Sequence, residues 1–145
     1  LGEAFLRVSD SGRLERVLRV INMIIEDPRR GILLEDYRIL PDGRQRDLQR
    51  SPSGKMASSE SPVAALVREM NEELNLGEKD FMLGFIEPVR VEEKPSKAYP
   101  NLSSVYELYP AHLTLRIEIN DGYSTIDKED GKKIFFRWQN LPTQS

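Results

Sequence analysis

The sequence predicts an α+β domain built on a mixed β-sheet, and three observations carry that reading. A β-branched apolar run lies near the start, one helix with clear end signals sits mid-chain, and further apolar runs bounded by turn residues follow it. At 145 residues the chain suits one domain with a core of its own.

The elements follow in order. Residues 1–12 are short and mixed and end in the turn-like Ser9-Asp10-Ser11-Gly12. Residues 14–26, LERVLRVINMIIE, leave a helix open by period through Val17, Val20, Ile21, Ile24 and Ile25. The β-branched content and Pro28 favour a strand. Asp27-Pro28-Arg29-Arg30-Gly31 reads as a hairpin turn, and residues 31–40 return as a second strand. Pro41-Asp42-Gly43 ends it, and a polar loop rich in Arg, Gln and Ser reaches Gly54. A helix is predicted over residues 62–74, with Ser61 as N-cap and Pro62 as first helical residue. Strands are expected at 81–92, 104–119 and 133–138. Between them lie a loop at 93–101 with two prolines and a polar, acidic loop at 120–132.

Composition narrows the chemistry. A net charge of −3 argues against a general nucleic-acid binder, which needs a basic surface for phosphates. Arg44, Arg46, Arg50 and Lys55 nonetheless crowd one stretch, as a local basic rim or a solvated loop. The absence of cysteine excludes disulfides, thiolate nucleophiles and Cys-based zinc sites, and agrees with an intracellular, cytoplasmic location. His112 is the single histidine, so Ser-His-Asp chemistry and multi-His metal sites lack material; it reads as a sheet-packing or surface residue. No apolar run approaches the roughly 20 residues that span a bilayer. The first residue is Leu rather than Met, which leaves a processed chain or a larger parent protein open.

The most specific pattern is residues 54–76, GKMASSESPVAALVREMNEELNL. Gly54, Glu60, Arg68, Glu69, Glu72 and Glu73 stand in the frame Gly-x5-Glu-x7-Arg-Glu-U-x-Glu-Glu-x-Gly-U (U apolar), with Met70 and Leu76 at the apolar positions. Asn75 replaces the second glycine. Six fixed positions at average residue usage match by chance at on the order of 10⁻⁷ per starting point. On a helix, Glu69, Glu72 and Glu73 are related as i, i+3 and i+4 and share a face. Val63, Leu66, Val67, Met70 and Leu74 gather within about 100° and are expected on the opposite face, against the sheet. A solvated acidic face would explain the three glutamates alone, but not the upstream Gly54, Glu60 and Arg68 at fixed offsets.

The segment resembles a Nudix box, the signature of hydrolases that cut diphosphates joined to another group. That resemblance implies an α/β/α sandwich with a mixed sheet, and the stop at LPTQS soon after Trp138 leaves its C-terminal covering helix in question. It implies magnesium, with manganese as an alternative, held by Glu69, Glu72 and Glu73, by a backbone carbonyl at Gly54, and by Glu60 as an outer ligand. Glu69, Glu72 and Glu73 would be the catalytic set, with Arg68 holding the carboxylates in place. The implied reaction is attack of water on a pyrophosphate of a small nucleoside diphosphate derivative, ADP-ribose or a nucleotide sugar first. The base would come from the box or from Glu107, Glu118, Asp127, Glu129 or Asp130. Serines at 51, 53 and 59 stand where the family favours other residues, glycines at 53 and 59, and are expected to restrict the entry loop. Asn75 suits a left-handed helix end. Subclass markers are not evident: Pro88 falls short of its expected offset, Pro95 overshoots, and Tyr99 lies too far on. Tyr37, Tyr99, Tyr106, Tyr109 and Trp138 could stack on a base, with ordinary packing the stronger reading. The alternative is a weak or inactive Nudix-like module that senses a ligand within a larger protein or assembly. A homodimer stays open as well.

Overall fold

The computed structural model describes residues 4–95, 102–128 and 130–140. In chain order its strands are β1 (Ala4–Val8), β2 (Leu14–Asp27), β3 (Gly31–Ile39), β4 (Gln45–Arg50) and β5 (Ser53–Lys55). The helix α1 (Pro62–Leu74) and a single 3₁₀ turn at Glu78–Asp80 follow. Then come β6 (Phe81–Ile86), β7 (Arg90–Pro95), β8 (Ser103–Leu115), β9 (Ser124–Ile126) and β10 (Lys133–Gln139).

All these strands join one mixed sheet centred on β2. β8 runs parallel to it from Glu15↔Ser103 to Glu26↔Thr114. On the other edge β1, β5 and β3 follow one another, each antiparallel. β3 also pairs with β4 and β10, β10 with β9, and β8 with β6 and β7. The hairpin turn after Asp27 is closed by Gly31, at φ 104°. A side chain there would meet the Gln139 carbonyl of β10, 2.0 Å from where its Cβ would stand.

Alternation explains why β2 lies at the centre. Ile21, Met23 and Ile25 share one face and are fully buried. Leu33, Leu113, Ile134 and Phe136 extend that face, and α1 covers it with Leu66, Met70 and Leu74. Burying each such side chain fully is worth about 1.5–3 kcal/mol. The helix ends are set locally. Ser61 accepts a hydrogen bond from the Ala64 N–H at 3.1 Å, and Pro62 opens the first turn. Asn75 closes the other end in the left-handed region, at φ 58°, while the Leu76 N–H donates to the Met70 carbonyl at 3.1 Å.

Several expectations need correction. Residues 4–8 form a strand, and the polar stretch before Gly54 holds β4 and β5 rather than a loop. The expected strand at 81–92 is two strands, and the loop at 120–132 contains β9. β1 and β4 are exposed along nearly their whole length, so apolar alternation could not mark them; their ladders come from the neighbouring strand's backbone. Residues 93–95 belong to β7, while 96–101 lie outside the described residues. The mixed sheet with one covering helix is as expected: among the described residues α1 is the one α-helix, in line with the C-terminal covering helix left in question.

Candidate functional site

The box helix is turned differently from the sequence expectation. Its buried stripe is Ala65, Leu66, Glu69, Met70, Glu73 and Leu74, while Val63 is 49% exposed. Glu69 and Glu73 are thus on the sheet side, 6% and 8% exposed, not on a face opposite the apolar one. At about 100° per residue, Glu73 falls within roughly 20° of Leu66, so placing them on opposite faces was the error.

Beneath Glu69 runs β5, held against β2 with Gly54 opposite Ile21. A Cβ at Gly54 would lie 2.0 Å from the Glu69 carboxyl carbon. Glycine keeps that space free for the carboxylate in this position, and no unusual backbone angle is involved. The entry-loop serines at 53 and 59 take ordinary backbone angles. Ser53 is an ordinary strand residue paired with Asn22, and neither it nor Ser59 has positive φ.

Arg68 gathers the other box carboxylates. Its guanidinium donates twice to Glu60, at 2.7 and 2.8 Å, once to Glu69 at 2.7 Å and once to Glu72 at 3.1 Å. It also donates to the Lys55 carbonyl at 3.0 Å, tying the helix to β5. These bonds hold the Glu60 carboxyl below its usual range. Burial pushes Glu69 up to about 7, against the opposing pull of Arg68. Glu73 is raised further, by burial first and then by the charge of Glu35 and of Glu69. Its Oε2 is buried without a hydrogen-bond partner among the described residues.

The acidic stretch at 120–132 folds over the end of α1, whose last carbonyls have no partner within the helix. The Thr125 hydroxyl donates to the Glu73 carbonyl, Tyr123 to the Leu74 carbonyl, and the Lys128 N–H to the Glu72 carbonyl at 3.3 Å. This docking brings Asp127 and Asp130 beside Glu69 and Glu73. All four line a cavity of about 420 Å³ together with Gly54, Ser53 and Val20. Burial alone would raise Asp130, but bonds and charge from Lys132 outweigh it and hold the carboxyl low.

Four cations, Arg38, Arg50, Lys55 and Lys132, share the same cavity. Sequence reasoning noticed Arg50 and Lys55 only as part of a basic stretch. Arg44 of that stretch pairs with Asp42 at 2.6 Å in the β3–β4 turn, and Arg46 is exposed on β4. Arg38 and the fully buried Glu35 were missed. Glu35 Oε2 lies 3.4 Å from Arg38 Nη2 and 3.5 Å from Arg50 Nε. The signal that could have found Glu35 is an acid inside an otherwise apolar strand start, GILLE.

Other expected participants lie elsewhere. Glu107 is on β8 near Arg7, Glu118 pairs with Arg30 at 2.9 Å, and Glu129 and Tyr99 lie outside the described residues. His112 meets Glu87 at 2.6 Å and stacks on Phe85 with centroids 4.3 Å apart. Tyr37 stacks on Phe135, Tyr109 and Tyr106 lie under Arg19 and Lys94, and Trp138 donates to the Ile119 carbonyl. Of the five expected cation ligands, Gly54, Glu69 and Glu73 reach the cavity, while Glu60 and Glu72 are turned to Arg68. As arranged, no three acidic or histidine side chains among the described residues converge closely enough to form a cation cage. The donor chemistry nevertheless fits magnesium, which takes carboxylate oxygens and keeps several waters. The unpartnered Glu73 oxygen, on a residue in the cavity wall, is an unsatisfied ligand atom that such an ion would satisfy.

Comparison with solved structures finds Nudix hydrolases as structural neighbours at low sequence identity. A C. elegans Ap4A hydrolase is 14% identical, with 86% of this chain and 80% of that one covered and a TM-score of 0.46. A NUDIX-family hydrolase from Clostridium perfringens is 18% identical, covering 84% and 80%, with a TM-score of 0.41. An ADP compounds hydrolase is 17% identical, covering 93% and 68%, with a TM-score of 0.42. No family model and no curated protein matches the chain. At such identities the chemistry has to be read from this chain's own residues.

Proposed function

We propose that the chain is a divalent-cation-dependent hydrolase that cleaves the pyrophosphate bond of a nucleoside diphosphate linked to another group, with ADP-ribose and nucleotide sugars as first candidates. One observation carries this reading: a single cavity lined by four carboxylates and four cations, with the box glycine and two box glutamates in its wall. A pyrophosphate needs both, cations for its own charge and carboxylates for the metal that accompanies it.

Glu69, Glu73 and the Gly54 carbonyl would hold magnesium or manganese, and Glu72 and Glu60 would join them on release from Arg68. The bound ion would polarise the phosphate oxygens and lower the pKa of water. Among the described residues Asp127 and Asp130 are the later acids that line the cavity, which supports them, beside the box glutamates, as candidates for the base. Asp130 pairs with Lys132, whose bonds and charge hold its carboxyl low and make it a weaker base than an unpaired carboxylate. Arg68, tied to three carboxylates, keeps Glu60, Glu69 and Glu72 at fixed positions and takes no part in proton transfer.

The test is product release from a panel of nucleoside diphosphate derivatives, with and without Mg²⁺. Cleavage of at least one member only with the cation is expected; a panel that binds yet stays intact would defeat the reading. That second outcome is the prediction of a ligand-sensing module. One observation favours such a module: Arg68 already occupies Glu69 and Glu72, leaving no three-carboxylate cage among the described residues.

A further inference from the structure

We propose that Glu35 is a positioning residue that holds Arg38 and Arg50 as a two-guanidinium clamp for phosphate oxygens on the β3–β4 side of the cavity. The inference rests on this cavity being the anion site, and its test does not depend on turnover.

Strand geometry supplies the first argument. In a regular strand Glu35 and Arg38, three apart, would face opposite sides of the sheet. They contact each other because Asp36 is an extra residue in β3. Glu35 and Tyr37 pair with the consecutive Phe136 and Phe135 of β10, so Asp36 has no place in that ladder. The pairing with β4 shifts at the same point, where Glu35 is opposite Arg50 and Tyr37 opposite Asp47. Such a bulge turns the following side chains over by one residue, and it puts Arg38 on the face of Glu35. The shift in β4 delivers Arg50 to the same carboxylate.

Energetics supply the second. Glu35 is 0% exposed, and besides the two arginines its carboxyl faces that of Glu73. An apolar side chain of that size would serve the core better than a buried acid. What the acid does is hold two guanidinium groups that both line the cavity. Arginine presents its donors in a planar fork matched to phosphate oxygens, and fixing the fork in advance lowers the ordering cost of binding.

Calorimetric titration of the full chain with inorganic pyrophosphate, in the presence of a chelator, tests this. Arg38→Gln and Arg50→Gln should each weaken binding about tenfold, the loss of a charge-assisted contact to phosphate. Arg50→Lys, which keeps the charge without the fork, should recover only part of it. Glu35→Gln gives the sharpest sign. Removing a negative charge near an anion site strengthens binding by simple electrostatics, whereas loss of the clamp's support weakens it. The expected result is weakening by about fivefold or more with an unchanged circular dichroism spectrum. Equal or tighter binding by Glu35→Gln overturns the proposal, as does wild-type affinity in Arg50→Gln. Because Arg50 is half-exposed, its variants fold even if Glu35→Gln does not, and they then decide alone. Weakened pyrophosphate binding in a chain that cleaves nothing would keep the clamp and remove the hydrolase reading. Turnover with normal binding by the clamp variants would do the reverse.

Discussion

The box helix α1 and the β3–β4 hairpin line the same cavity, yet they came by their chemistry differently. On α1 the groups lie within a few residues of one another, and the helical period alone brings Glu69 and Glu73 to one face. On the hairpin, Glu35, Arg38 and Arg50 meet only because Asp36 interrupts the ladder. The first kind of site survives in a sequence pattern. The second depends on register, which no spacing rule records.

The largest expected effect breaks the helix side. Gly54→Ala would drive a Cβ into the Glu69 carboxylate, which sits at the free end of a flexible side chain and can move aside. Turnover should therefore fall by about 100-fold, as for a misplaced catalytic group. Stability should change little, and thermal melting of the same sample separates the two effects.

The next sharpens the contrast in electrostatics. The pKa values of Glu69 and Glu73 are both raised by burial, so the folded, metal-free chain holds protons that the unfolded chain has released. Stability from this source is full below their ordinary value of 4.5, and for Glu69 it is lost as pH rises through about 7. Melting temperature should fall between pH 5 and pH 8 without metal, and Mg²⁺ should flatten that slope. Glu73→Gln should reduce the metal-free slope and raise the melting temperature at pH 8. A flat profile in the metal-free wild type would contradict the burial of these two carboxyls.

Smaller effects test how the C-terminal end of α1 is docked. Thr125→Val removes the donor to the Glu73 carbonyl and should cost about 1 kcal/mol in denaturant unfolding. Asn75→Ala places a less tolerant residue in the left-handed region and should cost about 1 kcal/mol, whereas Asn75→Gly should be close to neutral.

Much of this was legible beforehand, and the limits have physical causes. Ser61, Pro62 and Asn75 fix α1 by local rules, so both its ends could be placed from sequence. β2, β3 and β10 carry apolar residues on the core face and were readable for that reason. β1 and β4 bury almost nothing, so their patterns were silent. The box supplied Gly54, Glu69 and Glu73, but the rotation of α1 was misjudged because two acids were assumed to avoid the sheet. Asp127 and Asp130 were two names among five until the capping of α1 by Thr125 and Lys128 set them in the cavity. Nothing in the local sequence showed that Glu35 would reach two arginines.

The central claim is that Glu69 and Glu73 hold a divalent cation in this cavity. Titration of the full chain with Mn²⁺, followed by electron paramagnetic resonance of the free ion, tests it most directly. Wild type should take up the ion, and Glu73→Gln should bind it at least about tenfold more weakly, as loss of a charged ligand requires. Equal uptake by both proteins, or none by either, would contradict the account.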